Sequence, residues 1–248
     1  MDFSAAYYGL GDEMKLNDCS MDLSRELQDN GYVFIPHWHS IRSTRELADI
    51  TGTIVDFESL LPGSGIPSVQ TLQPRKEHEL PKNRYSCVFG LNEFPLHTDL
   101  AHWAIPPRYL MLRCINGSND VTTRLLPASA VIGAIGHAIL TRALFKPRRS
   151  SRHGNVGLLP LLFSSNYTNG LRWDSLFLTP MNAAARDVLD FMTGNVGNFN
   201  ELREITLILP GDTLIIDNWR MLHGRSKAVA EPKRVIERAY LSDIKSCP

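Results

Sequence analysis

From Tyr85 onward the chain consists largely of short β-prone runs divided by turn formers, and no other feature narrows its fold as much. Phe94–Asp99, Tyr109–Ile115, Val121–Leu126, Glu204–Leu209, Thr213–Asp217 and Arg234–Leu241 are the strand candidates. Pro106-Pro107, Asn116 to Asp120 and Pro210-Gly211 separate them. Many short strands in succession bury their faces by closing into a sandwich or barrel. An earlier strand, Tyr32–Ile35, follows a helix over Asp22–Leu27 that stops at Asn30-Gly31. Helical spacing also marks Ser43–Ile54, Ala128–Ala143 and Asn182–Thr193, with Ser43 and Glu46 spaced as a capping box. Strands and helices do not alternate regularly and no strand leads into GxGxxG, which argues against a doubly wound dinucleotide fold. Leu61–Pro67 (LPGSGIP) lacks the GK[ST] of a phosphate cradle and reads as a loop, and the Gln73 to Lys82 stretch reads as a surface excursion. The expectation is a mainly β fold with flanking helices.

Bulk properties then bound the function. With 43% hydrophobic residues in 248, the chain can bury a full core. Lys plus Arg equals Asp plus Glu at 26 each, which disfavours a nucleic-acid binder that works by neutralising phosphates. Cys19, Cys87, Cys114 and Cys247 show no CxxC spacing and are expected to be reduced thiols of a cytoplasmic protein. Neither a basic-then-apolar leader nor a membrane-length apolar run is present, so no membrane partner is expected. A small molecule, recognised by local charge, is the expected partner.

His97-Thr98-Asp99 stands in FPLHTDLAHW. On a strand, two residues of separation put both side chains on one face, roughly 6.6 Å apart at Cα. Chance alone supplies about one His-x-acid in a chain with this many histidines and acids, so the motif needs company. His223, in GDTLIIDNWRMLHGRS just past a strand, is the candidate third member. Two imidazoles and a carboxylate are the ligand set of non-haem iron, which leaves positions open for a chelating co-substrate and O2. The plain alternative is a surface dipeptide and an unrelated histidine.

RVIERAYL adds a second cluster. On a strand, Arg234, Ile236, Arg238 and Tyr240 share a face. If that face is interior, each guanidinium needs an anion, because an unpaired buried charge costs several kcal/mol. A dicarboxylic keto acid bound to the metal at one end would offer its far carboxylate to such an arginine. The alternatives are a solvent-facing pair, or a helical pair bridged to Glu231 or Glu237.

Taken in order, FPLHTD, PPRYLMLRC, the strand with Thr122-Thr123, LRWD, GDTLIIDNWRMLHGRS and RVIER resemble the Fe(II)/2-oxoglutarate dioxygenases of the taurine dioxygenase and clavaminate synthase group. The resemblance runs from about Tyr85 to Leu241, and the opening helix with its GYVFI strand also resembles the start of that family. It implies a double-stranded β-helix, or jelly roll, in a single domain over residues 1–248. It further implies His97, Asp99 and His223 as iron ligands and Arg234 as the group on the distal carboxylate of 2-oxoglutarate. Thr123 would help seat that carboxylate, with Thr122 one register step away, and Arg238 would lie near the co-substrate or a substrate anion. Asp99, where the family's halogenases have Gly or Ala, implies the hydroxylating type. The implied reaction consumes O2 and 2-oxoglutarate, releases succinate and CO2, and hydroxylates an unactivated C–H bond of an amino acid or natural-product intermediate. Desaturation or cyclisation by the same chemistry, and a catalytically idle jelly roll that binds a small ligand, are the alternatives.

Other residues are weighed around this set. Asp174 and Arg172, in FSSNYTNGLRWD with Asn166 and Tyr167, are candidate substrate contacts, with an internal salt bridge as their alternative. His102 is a candidate wall of the site or an ordinary hydrogen-bonded histidine. Ser86, Asn92 and Phe94 are candidates for the pocket, the core or a turn. His37 and His39 have no third ligand nearby and are expected at the surface. Asn218 and Trp219 are expected to pack or hydrogen-bond around the metal ligand. Arg148, Arg149 and Arg152, with Gly154 and Gly157, read as a solvated loop or a lid.

Overall fold

The computed structural model describes residues 22–74, 85–148, 157–195, 199–228 and 234–245. Cys19, Cys247, Arg149, Arg152, Gly154, Glu231, the side chain of Ser86 and most of the Gln73 to Lys82 stretch lie outside the described residues.

Two antiparallel sheets form the frame. The larger has the order β1 (Tyr32–Ile35), β13 (Thr213–Asp217), β5 (Tyr109–Asn116), β15 (Val235–Ile244) and β2 (Gly52–Ile54), with β3 (Val69–Leu72) also paired to β15. The smaller has the order β12 (Arg203–Thr206), β6 (Thr122–Pro127), β14 (Met221–Arg225) and β4 (Phe94–His97). A three-stranded sheet of β11 (Leu178–Pro180), β7 (Leu144–Pro147) and β8 (Leu159–Pro160), and a hairpin of β9 (Leu162–Ser165) with β10 (Thr168–Leu171), complete the strands.

Period-two alternation decides what each sheet buries. Leu110, Leu112 and Cys114 of β5, Leu214 and Ile216 of β13, and Ile236 and Tyr240 of β15 share one buried cluster with Leu125 and Met221 of the smaller sheet. This cluster is the barrel interior. The intervening residues Met111, Ile215, Ala239 and Leu241 face outward, where Leu27 of α1 (Leu23–Asn30) and Ala48 of α2 (Thr44–Thr51) cover them. Outside the smaller sheet, Leu96, Leu126 and Leu222 pack with helices α5 (Ala128–Ile135), α6 (His137–Arg142) and α7 (Ala183–Asn195). A fully buried leucine contributes about 1.5–3 kcal/mol, so both faces of each sheet hold the frame in register. Two short helices, α3 (Phe57–Leu60) and α4 (Tyr85–Phe89), lie between β2 and β4 in sequence.

The strand expectations for Tyr32–Ile35 and Thr213–Asp217 match in their bounds, and those for β5, β6 and β15 match to within a few residues. Ser43 and Glu46 form the expected capping box, with Glu46 N–H donating to Ser43 Oγ at 3.2 Å and Ser43 N–H to Glu46 Oε2 at 2.8 Å. Three local expectations change. The helix from Ser43 ends at Thr51, because Gly52 turns extended and Gly52–Ile54 joins the edge of the larger sheet. The span Ala128–Ala143 breaks into two helices at Gly136, whose φ of 91° an alanine would not adopt readily. The β-prone stretch from Tyr85 opens with a short helix before its first strand. No helix among the described residues is long and apolar enough to cross a membrane.

Candidate metal centre

His97 ends β4 and His223 sits in the middle of β14, and the two strands pair so that these residues are direct partners. Partners across an antiparallel pair point to one face, and His223 also pairs with the interior Leu125 of β6. Both imidazoles therefore point into the barrel. Gly224 lets the strands come this close: a Cβ there would lie 2.6 Å from the carbonyl oxygen of Phe94. The ring centroids of His97 and His223 are 4.6 Å apart.

Asp99 follows where the chain leaves β4. Asn218 holds its backbone from both sides, accepting from Asp99 N–H at 2.7 Å and donating to its carbonyl at 3.0 Å, while also donating to Pro107 O at 2.9 Å. The carboxylate thereby faces both histidines, with Oδ1 3.5 Å from His97 Nε2 and Oδ2 3.7 Å from His223 Nε2. Among the described residues these three form the group whose ligand atoms all lie within 4.8 Å of one another, and all three are buried.

The donor chemistry suits a divalent metal. His97 Nδ1 is 2.8 Å from Pro95 O, so it carries the proton and leaves the Nε2 lone pair toward the cluster. Burial holds the His223 imidazole below its usual pKa, in the neutral form that ligates. Burial opposes protonation of His97 too, but Asp99 and, further off, Asp174 outweigh it and the net shift is upward. Burial also pushes Asp99 toward the neutral acid, yet Arg238 and the two imidazoles more than offset this and keep it well below the usual carboxylate range. Arg238 Nη1 donates to Asp99 Oδ2 at 3.0 Å and Tyr240 Oη to the same oxygen at 2.9 Å.

Arg238 therefore engages Asp99, and its Nη2 engages Gln70 Oε1 at 2.6 Å on β3. Arg234, just before β15, is buried at 7% exposure, and burial lowers its pKa to about 10. It has no carboxylate partner and no hydrogen bond among the described residues, and its Nε is a buried donor without an acceptor. Thr123 pairs with Arg225 across β6 and β14 and shares the interior face of Leu125. Thr122 points the other way and donates to the exposed Glu204 at 3.3 Å. Arg225 had no role in the sequence reading. It lies over the Phe94 ring at 3.9 Å, donates to Gly90 O and Asn92 O, and has its pKa lowered to about 10 by burial and by the charge of Arg234.

The candidate substrate residues separate. Arg172 is corrected: its Nη groups donate to the main-chain carbonyls of Ala101, Trp103 and Ala104 and its guanidinium lies 4.5 Å over Phe163, so it fastens the turn after Asp99. Asp174 Oδ1 accepts from the N–H groups of Leu176 and Phe177, while the carboxylate also faces Tyr85 and His97. Tyr85, another residue without an earlier role, stacks on the His97 ring at 4.4 Å. Phe177 packs against both Tyr85 and His102, which places His102 along this aromatic row. Asn218 stands against Asp99, whereas Trp219 Nε1 donates to Pro106 O at 3.0 Å and its ring meets Phe163. His37 and His39 adopt positive φ in the turn after β1, and Arg113 donates to the carbonyls of Trp38 and His39 there.

No family model matches the chain. Solved structures do. Asparagine oxygenase in complex with Fe(II), 2S,3S-3-hydroxyasparagine and succinate is similar with a TM-score of 0.63 and 17% identity, over 88% of this chain and 77% of that one. A mutant of the non-heme iron oxygenase OrfP in complex with (3S)-hydroxy-L-Arg has a TM-score of 0.61 at 21% identity, over 89% and 78%. PvcB of Pseudomonas aeruginosa, an Fe, alpha-ketoglutarate dependent oxygenase from an isonitrile synthetic pathway, has a TM-score of 0.60 at 18% identity, over 88% and 78%. The chain has the jelly-roll fold shared by these iron oxygenases, as its resemblance to the taurine dioxygenase and clavaminate synthase group implied.

Proposed function

We propose that the chain is an Fe(II)- and 2-oxoglutarate-dependent oxygenase that hydroxylates an unactivated C–H bond of a small molecule, with an amino acid or related natural-product intermediate as the substrate class. The convergence of His97, Asp99 and His223 on one buried point of the jelly roll carries this reading. The three would hold iron(II) on one side and leave its other positions to co-substrate and O2. Bound together, iron(II) and 2-oxoglutarate supply the oxidising power: one atom of O2 enters succinate, formed with CO2, and the other enters the substrate.

The chain's own groups do the holding. Arg234 would receive the distal carboxylate of 2-oxoglutarate, since a guanidinium fork matches a carboxylate and this one has no other anion among the described residues. Thr123, on the interior face, would donate its hydroxyl to the same carboxylate, whereas Thr122 faces away. Arg238 donates to Asp99, and from the same position it would lie near the co-substrate or a substrate anion. Asp174 and His102, flanking Tyr85 and Phe177, would border the substrate. The hydroxylated amino acids bound to asparagine oxygenase and OrfP support this substrate class.

The test is a screen of amino acids for substrate-stimulated succinate release by protein loaded with Fe(II) and 2-oxoglutarate, with product mass as second readout. A gain of one oxygen is expected, and none with His223→Ala. A product short of two hydrogens would shift the reading to desaturation, and equal succinate with and without His223 would end it.

A further inference from the structure

Oδ2 of Asp99 accepts from two donors, Arg238 Nη1 at 3.0 Å and Tyr240 Oη at 2.9 Å. An ionised carboxylate oxygen has about two lone-pair directions, so this pair occupies those of Oδ2. Oδ1 faces His97 Nε2 at 3.5 Å and Oδ2 faces His223 Nε2 at 3.7 Å, but only Oδ2 takes the Arg238 and Tyr240 donors. The two oxygens of one carboxylate are thus made unequal by the protein.

Tyr240 is fixed where it stands. It lies on β15 opposite Leu110, its carbonyl accepts from Val55 N–H at 2.9 Å, and its ring meets Phe57 edge-on at 5.5 Å. Val55, Phe57, Leu110 and Leu112 belong to the same apolar cluster, where a phenylalanine ring would be equally at home. The hydroxyl is therefore not required for packing. A buried phenol needs an acceptor, and this one takes an oxygen of a candidate metal ligand.

We propose that Tyr240 is a positioning residue for the metal centre: its hydroxyl, together with Arg238, holds Oδ2 of Asp99 so that Asp99 meets the metal through Oδ1 alone. The inference rests on the metal-centre reading above. Without the hydroxyl, one donor remains on Oδ2 and the carboxylate can turn both oxygens toward the metal.

Tyr240→Phe tests this, because the ring stays and only the hydroxyl goes. Wild type and variant would be titrated with Fe(II) under anaerobic conditions and with Co(II), whose visible absorption reports ligand number and geometry. The expected result is about tenfold weaker binding of both metals and an altered Co(II) spectrum. Wild-type affinity with an unchanged spectrum overturns the proposal. Weaker binding with an unchanged spectrum also overturns it, since general loosening of the site would give that result. If wild type binds neither metal, the metal-centre reading itself fails and the proposal with it. That outcome is read from wild type alone and is distinct from a null difference between the two proteins.

Discussion

Arg172 and Arg234 are both buried arginines whose pKa burial lowers to about 10, but they belong to regions built on opposite plans. Around Arg172 the chain supplies the acceptors: three carbonyls of the 101–104 turn converge on the guanidinium, and Phe163 covers its face. Around Arg234 the described residues supply another cation, Arg225, and no carboxylate. A buried guanidinium with its own acceptors is a fastening. One left without them can take an anion from outside the chain, the role proposed for Arg234. Burial and residue type alone do not separate the two; the partner inventory does.

The sharpest break of this contrast is Arg234→Met. It is expected to weaken 2-oxoglutarate binding about 10²–10³-fold while leaving thermal stability near wild type, measured by anaerobic calorimetry and a melting curve. Arg172→Met is expected to do the reverse. Leaving the three carbonyls without their donor should cost roughly 3 kcal/mol, or about 10 °C in Tm, with 2-oxoglutarate affinity little changed. If both variants lose affinity and stability alike, the two regions do not differ as described.

Acidity offers a further separation. A metal must displace any proton on His97, whose pKa is held above its usual value, so metal affinity is full above that pKa and falls as pH drops through it. The decline should approach tenfold per unit once the pH is below that raised value. Arg234 stays charged throughout this range, so its contribution to co-substrate binding should be flat from pH 5 to 8. Fe(II) and 2-oxoglutarate titrations at several pH values would check both slopes. The smallest expected effect is at Thr123, where Thr123→Val should weaken 2-oxoglutarate about fivefold, the worth of one hydrogen bond, and Thr122→Val not at all.

Period-two patterning made the interior face of β15 legible from sequence. Arg234, Ile236, Arg238 and Tyr240 could be placed together from the sequence, whereas the strand read over Phe94–Asp99 ends at His97 and Asp99 is set beside it by Asn218. What that face touches could not be read. Arg238 turns to Asp99 because β3, a strand without a clear sequence signal, brings Gln70 to its other side. Arg225 is two residues beyond His223, the same spacing as His97 to Asp99, and that periodicity could have placed it on the interior face once β14 was recognised as a strand. The sequence signal for β14 is weak because Gly224 stands between His223 and Arg225, and glycine in a strand interior blurs the pattern. Arg172 misled for a different reason. A charged residue beside Trp173 and Asp174 suggests a binding loop, and the carbonyls that take its charge come from a turn some seventy positions earlier. Tyr85 stands ahead of the first strand candidate of this region, and its stacking on His97 depends on a short helix of five residues that carries no sequence signal of its own.

The most direct measurement is anaerobic titration of 2-oxoglutarate into the protein with and without Fe(II), for wild type and His223→Ala. The expected result is one co-substrate per chain, bound much more tightly by wild type when Fe(II) is present, with that gain abolished in His223→Ala. Binding that is absent, or equally strong with and without Fe(II), would contradict an iron centre built from His97, Asp99 and His223.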